Sequence, residues 1–275
     1  MPESSTAVAL LTPGPTLPAW AATAVQTMID ETDAEIALVV QDGSSDDRGA
    51  VETVRRLVEL REWGLVAGSR ELFGDDLDHQ SRTPVTAIDG LVEAERFVCE
   101  PRQVDGWKHA LPSRAVDRLG ATDVAVRMGF GFLVGDALTA PTHGVLSYHH
   151  GDFREYRGQP AGFWEYVHGR DIAGVTLQRI NETLDGGEVV AERDVVIADA
   201  PTWDEVRRRL FDASTDLLAE GVTRLERESF EPERLSQEEL GDLYSLPRGR
   251  PVLTYLEKSV RGKLRRWESL GEKGQ

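Results

Sequence analysis

Ser147-Tyr148-His149-His150-Gly151-Asp152, continued by Phe153-Arg154-Glu155-Tyr156-Arg157-Gly158, is the stretch from which the fold is read. It follows the apolar pair Val145-Leu146, which reads as the tip of a buried strand. Two imidazoles, two carboxylates and two guanidinium groups then crowd into a few positions, closed by a glycine. In an open α/β sheet, ligands collect just beyond the carboxyl ends of the strands. A cluster placed there is positioned for chemistry. Downstream, Leu184-Asp185-Gly186-Gly187 is a second turn that offers another carboxylate.

Around this stretch, buried strands alternate with helices. Ala7-Val8-Ala9-Leu10-Leu11 and Ile36-Ala37-Leu38-Val39-Val40 are continuous apolar runs, the pattern of strands covered on both faces. Helical spacing is expected over Ala21 to Ile29 and, through Val51, Val54, Leu57, Val58 and Leu60, over Gly49 to Trp63. Residues 69–88 are polar, with Asp75, Asp76 and Asp78 close together, and are expected to leave the sheet as a solvated loop. Further strands are expected at Arg96–Cys99, Val124–Met128, Val145–Tyr148, Gly174–Ile180 and Glu188–Ile197, and short helices at Ser113–Leu119 and Phe163–His168. Thr202, with Glu205 three positions on, forms a capping box that predicts one long helix to about Glu228. The whole reads as a Rossmann-type α/β fold, a mostly parallel sheet flanked by helices. A boundary near Phe230 to Pro232 divides it into an α/β domain, residues 1–230, and a helical extension, residues 231–275.

The extension carries Leu253, Leu256, Val260, Leu264 and Trp267 at helical intervals, with Lys258, Arg261, Lys263, Arg265 and Arg266 among them. Such a basic amphipathic helix can lie on an anionic membrane or dock on its own acidic body; docking is the favoured reading. The chain as a whole is acidic, with net charge −17, which disfavours nucleic-acid backbones as partners. Only four of its 31 basic residues are lysines, a balance that fits either a high-salt environment or an ordinary acidic cytoplasmic protein. A single cysteine, Cys99, excludes an internal disulfide and a cysteine-based zinc cage. With no signal peptide and no apolar run long enough to span a bilayer, a cytoplasmic location is expected.

Several alternative chemistries are weak. Gly129-Phe130-Gly131-Phe132-Leu133-Val134-Gly135 looks like a dinucleotide fingerprint, but it follows a late strand, and Pro141 ends any helix it could open. It is better read as a loop whose backbone lines a pocket. Adjacent residues on a strand point to opposite faces, so His149 and His150 do not make a natural metal pair, and no metal is expected. Ser147 lacks the G-x-S-x-G elbow that would expose a nucleophile. One imidazole with a carboxylate to hold it asks for less than any of these.

The order of a strand, His149, Tyr156-Arg157-Gly158, Gly174-Val175-Thr176 and Leu184-Asp185-Gly186-Gly187 resembles the folate-dependent formyltransferases, most strongly over residues 120–200. That family, which includes glycinamide ribonucleotide, methionyl-tRNA and sugar N-formyltransferases, carries an Asn, a His two residues later and an Asp some three dozen further on. His149 and Asp185 match; Ser147 stands where the Asn is expected. Losing one oxyanion donor typically costs about 2.7–4 kcal/mol, so this departure matters. The residues around it, His150 and Asp152, are candidates for part of the missing role.

The resemblance implies transfer of a formyl group from 10-formyltetrahydrofolate to an amine. His149 and Asp185 would take acid/base and oxyanion roles, with Ser147 as a secondary donor. The folate would lie against Gly129, Phe130, Gly131, Phe132, Leu133, Val134, Glu182 and Leu184. His150, Asp152, Arg154 and Arg157 are weaker candidates for the acceptor, with Arg157 favoured as a brace for its loop. The short helical extension and the acidic charge point to a small-molecule amine, an amino sugar among the options, rather than tRNA. A hydrolase releasing formate and a non-catalytic binding relative are the alternatives.

Overall fold

The computed structural model describes residues 5–44, 62–74 and 77–272. Its central sheet is built from β1 (Ala7–Thr12), β2 (Glu35–Asp42), β3 (Glu95–Cys99), β4 (Val124–Arg127), β5 (Val145–His149), β6 (Ile172–Arg179), β7 (Glu188–Val196) and β8 (Glu233–Arg234). Among the described residues the spatial order is β8-β7-β6-β5-β4-β1-β2-β3. Strands β1 to β5 run parallel, while β6, β7 and β8 each pair antiparallel to their neighbour. The mostly parallel α/β sheet expected from the sequence is thus present.

Alternation along β1 shows why apolar runs were needed. Val8 and Leu10 enter one core with Val39, Val126 and Leu146; Ala9 and Leu11 enter the other with Val40, Ala125 and Val145. A strand covered on both faces cannot spare a polar position in its middle. The helices that supply the cover include α1 (Ala19–Glu31), α2 (Trp63–Phe73), α3 (Ser113–Leu119), α4 (Phe163–His168), α5 (Trp203–Asp212), α6 (Leu217–Leu225) and α7 (Arg250–Glu272). The helix expected from Gly49 lies outside the described residues, apart from Glu62 and Trp63, as do Asp75 and Asp76. Residues 69–88 stay off the central sheet, but not as one loop. They complete α2, and Arg82–Pro84 pairs with Thr16–Pro18.

The strand order reverses between β1 and β4, the switch point at which such sheets open a crevice. The loops after these two strands approach closely: a Cβ on Gly129 would collide with the Pro13 backbone. This contact, rather than a phosphate turn, is what the glycine there serves.

Two expectations about the helices need correction. The helix from Thr202 is not continuous. Thr202 caps it, its hydroxyl accepting from Glu205 N–H at 3.2 Å, but Glu205 turns its carboxylate to Arg208 and Arg209, so only half of the capping box forms. The helix then breaks at Ala213–Asp216 into α5 and α6. Ser214 Oγ and Thr215 Oγ1 donate back to Leu210 O and Asp212 O, each at 2.8 Å, offering the backbone an alternative to the next turn.

In α7, the buried positions are Val252, Tyr255 and Gly262, while Leu253, Val260 and Leu264 remain exposed. Leu256 packs partly buried against the core, so the docking stripe meets the expected one only there, while the Trp267 side chain lies outside the described residues. Gly262 sets the reason: it lies so near the Pro201 carbonyl that a Cβ has no room, and a leucine face could not come as close. Among the described residues, no helix is long and apolar enough to cross a membrane.

Candidate active site

The carboxyl ends of β4 and β5 carry the polar groups. Residues in register across the pair, Arg127 and Ser147, lie side by side. Ser147 and His149 share one face of β5. Tyr148 and His150 take the other, where they pack against Trp20 with ring centroids at 5.2 and 5.1 Å.

Asp185 arrives from the β6–β7 loop. That loop is shaped by Asn181, whose Oδ1 accepts from Thr183 N–H at 2.7 Å and whose Nδ2 donates to Gly186 O at 3.1 Å. Asp185 itself sits at φ 43°, in the left-handed region. Its Oδ2 accepts from Gly158 N–H at 2.9 Å, and its Oδ1 lies 3.5 Å from His149 Nδ1. Gly158 belongs to Tyr156–Gly158, which pairs parallel with Asp242–Tyr244 of the chain's last quarter.

His149 is buried, and its Nε2 is 3.0 Å from the carbonyl oxygen of Tyr156. A carbonyl only accepts, so Nε2 carries a proton. Its Nδ1 is the ring atom that faces the Asp185 carboxylate. His149 borders neither of the two cavities described next; Asp185 does.

The larger cavity, about 730 Å³, is walled by Trp107, Phe132, Leu133, Leu184, Leu243 and Tyr244, with Gln178, Asn181 and Asp185 among its polar groups. Phe132–Val134, which supplies Phe132 and Leu133 to this wall, is an edge strand among the described residues, paired with Lys108–Ala110. The smaller cavity, about 490 Å³, lies between Trp20, Arg82, Met128, Tyr148, His150 and Phe211. Arg127 and Gly131 line both.

Burial lowers the pKa of the Arg127 guanidinium, and the nearby Asp185 charge offsets part of that. Burial pushes His150 down to about 3, helped by the neighbouring His149, Arg207 and His79. It is a neutral group, its Nε2 donating to Ser214 Oγ at 3.0 Å.

The residues singled out in the sequence divide accordingly. Ser147, His149 and Asp185 converge on the strand ends. Gly131, Phe132, Leu133 and Leu184 line the larger cavity, and Gly129 the smaller. Phe130 is instead buried in the core beneath, at φ 66°, and Val134 is buried beside it. Glu182 faces solvent and accepts from Gly135 N–H at 3.1 Å. Asp152 accepts from Arg154 N–H in a turn, and Arg154 is held by Glu192 at 2.7 Å and Glu233 at 2.9 Å. Arg157 donates to Gly241 O at 2.8 Å and braces the loop.

Of these weaker candidates, His150 alone borders a cavity. The sequence reading passed over Arg127, Trp107, Gln178 and Tyr244. Arg127 had the same signal as His149, a polar residue ending an apolar strand, in Val124-Ala125-Val126-Arg127.

Comparison with known proteins agrees with this architecture. Residues 106–222 match the family described as Formyl transferase. Methionyl-tRNA formyltransferase of Bacillus thuringiensis (strain Al Hakam) is 26% identical over 160 residues, covering 54% of this chain and 51% of that protein. The chain spans about half the length of the curated relatives it matches.

Among solved structures, glycinamide ribonucleotide transformylase 1 from Symbiobacterium toebii superposes with a TM-score of 0.50 at 18% identity, covering 85% of this chain and 96% of that one. An N-formyltransferase from Helicobacter canadensis, solved with folinic acid and dTDP-3-aminofucose, gives 0.53 at 8% identity, covering 94% and 80%. These likenesses speak to the fold. The segment matched to that family contains β4 to β7 and the residues of the strand-end cluster.

Proposed function

We propose that this protein transfers a formyl group from 10-formyltetrahydrofolate to the amine of a small molecule. The observation that carries this reading is the pair of cavities meeting at Arg127 and Gly131, with the Asp185 carboxylate on the wall of the larger one. The larger space fits a flat heterocycle: it has aromatic walls, an edge strand contributing to them, and the Gln178 amide. The smaller, with Trp20 and Phe211 for stacking and Arg82 at its rim, suits an acceptor with an aromatic or sugar body. An amino sugar is one such acceptor.

In this reading the amine attacks the formyl carbon at the junction, and Asp185 takes the proton that the nitrogen sheds. His149, backed by the Tyr156 carbonyl, holds that carboxylate and shares its proton, so its influence on the reaction passes through Asp185. The route requires no metal.

The test is release of tetrahydrofolate from 10-formyltetrahydrofolate, with and without a panel of amines. Amine-dependent turnover is expected. Asp185→Asn, which keeps an acceptor for Gly158 N–H but loses the charge, should reduce kcat by about 10²–10⁴-fold, as should His149→Ala. Turnover independent of amine would identify a hydrolase. Unchanged rates in both variants would remove this pair from the mechanism.

A further inference from the structure

Ser147 occupies the position where an amide donor was expected, yet its hydroxyl oxygen is already engaged as an acceptor. Arg127 donates to it twice, from Nε at 3.2 Å and from Nη2 at 2.8 Å, and Nη1 donates to Gly131 O. A guanidinium has five N–H groups. Among the described residues three of them are used, which leaves one on each Nη. The group is thus clamped on its own strand pair by a side chain and a backbone carbonyl, and it borders both cavities.

Resting on the reading of the chain as a formyl transferase, we propose that Arg127 holds the formyl oxygen as negative charge develops, and that Ser147 is the positioning residue that fixes the guanidinium. The formyl carbon must lie where the two cavities meet, and Arg127 forms part of that wall. A fixed cation in a half-buried site stabilises an oxyanion more than a neutral amide can, because the interaction is weakly screened and needs no reorganisation. Burial disfavours the charged guanidinium, and Asp185 offsets this cost before substrate arrives.

The bookkeeping of the step is complete. The amine lone pair forms the new C–N bond as the C=O pair moves onto oxygen, opposite Arg127. When the carbonyl re-forms, the bond to the folate nitrogen breaks, and that nitrogen leaves with the electron pair and a proton that originated on the amine. A neighbouring cation also favours the neutral, nucleophilic form of the incoming amine. The serine no longer represents a lost donor in this arrangement. It is the small acceptor that lets an arginine occupy the space.

The full-length chain tests this with 10-formyltetrahydrofolate and an amine that the wild type accepts. Arg127→Leu should lower kcat by about 10²–10³-fold while the KM for the folate stays within about threefold. Arg127→Met, closer to arginine in length, carries the same expectation if the leucine variant does not fold. Two rescues separate a chemical role from a structural one. Added guanidinium ion should restore part of the rate of Arg127→Ala where equal NaCl does not, and Ser147→Asn should raise the rate of Arg127→Leu by returning an amide donor.

Variants of Arg127 within threefold of an active wild type would overturn this inference and leave the formyl-transfer reading standing. So would a loss confined to folate KM, or one that neither rescue improves. A wild type that releases no tetrahydrofolate under any condition would instead overturn the underlying reading, and this inference with it.

Discussion

Gly158 shows how narrowly the site is built. It sits at φ 93°, and a Cβ there would overlap the Tyr244 carbonyl oxygen, so both conformation and space demand glycine. Its N–H is also the donor that orients Asp185. Gly158→Ala should destabilise the fold by on the order of 2–4 kcal/mol and lower turnover as Asp185 loses its anchor. A urea midpoint equal to that of the wild type would show that the strand pairing with Asp242–Tyr244 yields instead. Sequence reading placed Gly158 within its motif, but the Tyr244 contact that demands glycine lies across the fold. His149 and Asp185 were legible because polar residues at the end of an apolar strand and in an Asp-Gly-Gly turn leave a local trace. Arg127 left the same trace and was passed over, since a lone arginine ending a strand has no partner in its own segment.

Among the elements, the break between α5 and α6 best illustrates a tertiary decision. The apolar positions along this stretch, Val206, Leu210, Leu217, Leu218, Val222 and Leu225, are all buried, so they form one stripe although the helix is not continuous. Where the helix stops, the Ser214 carbonyl takes the Tyr148 hydroxyl at 2.8 Å and the Ser214 hydroxyl takes His150 Nε2 at 3.0 Å. Tyr148 of β5 and His150 just beyond its end thereby dock on the gap that the break opens. Ser214→Ala removes the acceptor for a buried imidazole and should reduce stability by about 1–3 kcal/mol. Thermal and urea denaturation would measure it, and an unchanged midpoint would mean that the break is held by Thr215 and the carbonyl alone. The same limitation explains α7. Periodicity marks the most apolar stripe, but close approach selected the one containing Gly262.

For the whole molecule, two buried groups act on pH stability in opposite directions. His150 is depressed to about 3 by burial, below its ordinary value near 6.5. Its contribution is complete above that ordinary value and is lost as pH falls toward 3, because the unfolded chain then binds the proton more readily. Glu165, buried with Oε1 unpartnered among the described residues, is raised to about 7 by desolvation, above its ordinary value near 4.5. Its contribution is complete below 4.5 and is lost as pH rises through 7.

Between about pH 4.5 and 6.5 the contributions of these two groups offset each other. Relative to the wild type across that window, His150→Phe should tilt the stability profile downward as pH rises. Glu165→Gln should tilt it upward, by on the order of 2–3 kcal/mol. Urea midpoints measured across the range for all three proteins would decide it; identical slopes would show that neither group titrates as its surroundings imply.

The sequence by itself determined the α/β class, seven of the eight strands of the central sheet, the family likeness and the strand end where polar groups gather. These properties are local. A strand covered on both faces must be apolar, a turn must carry glycine or aspartate, and a site at a strand's end shows itself as a polar residue after an apolar run. Only the tertiary structure decided that Arg127 stands beside Ser147, that His149 lies behind Asp185, and that Tyr244 closes a cavity lined by Gly131. Strand register and the close approach of distant segments set those neighbours, and neither is written in the spacing of any single stretch.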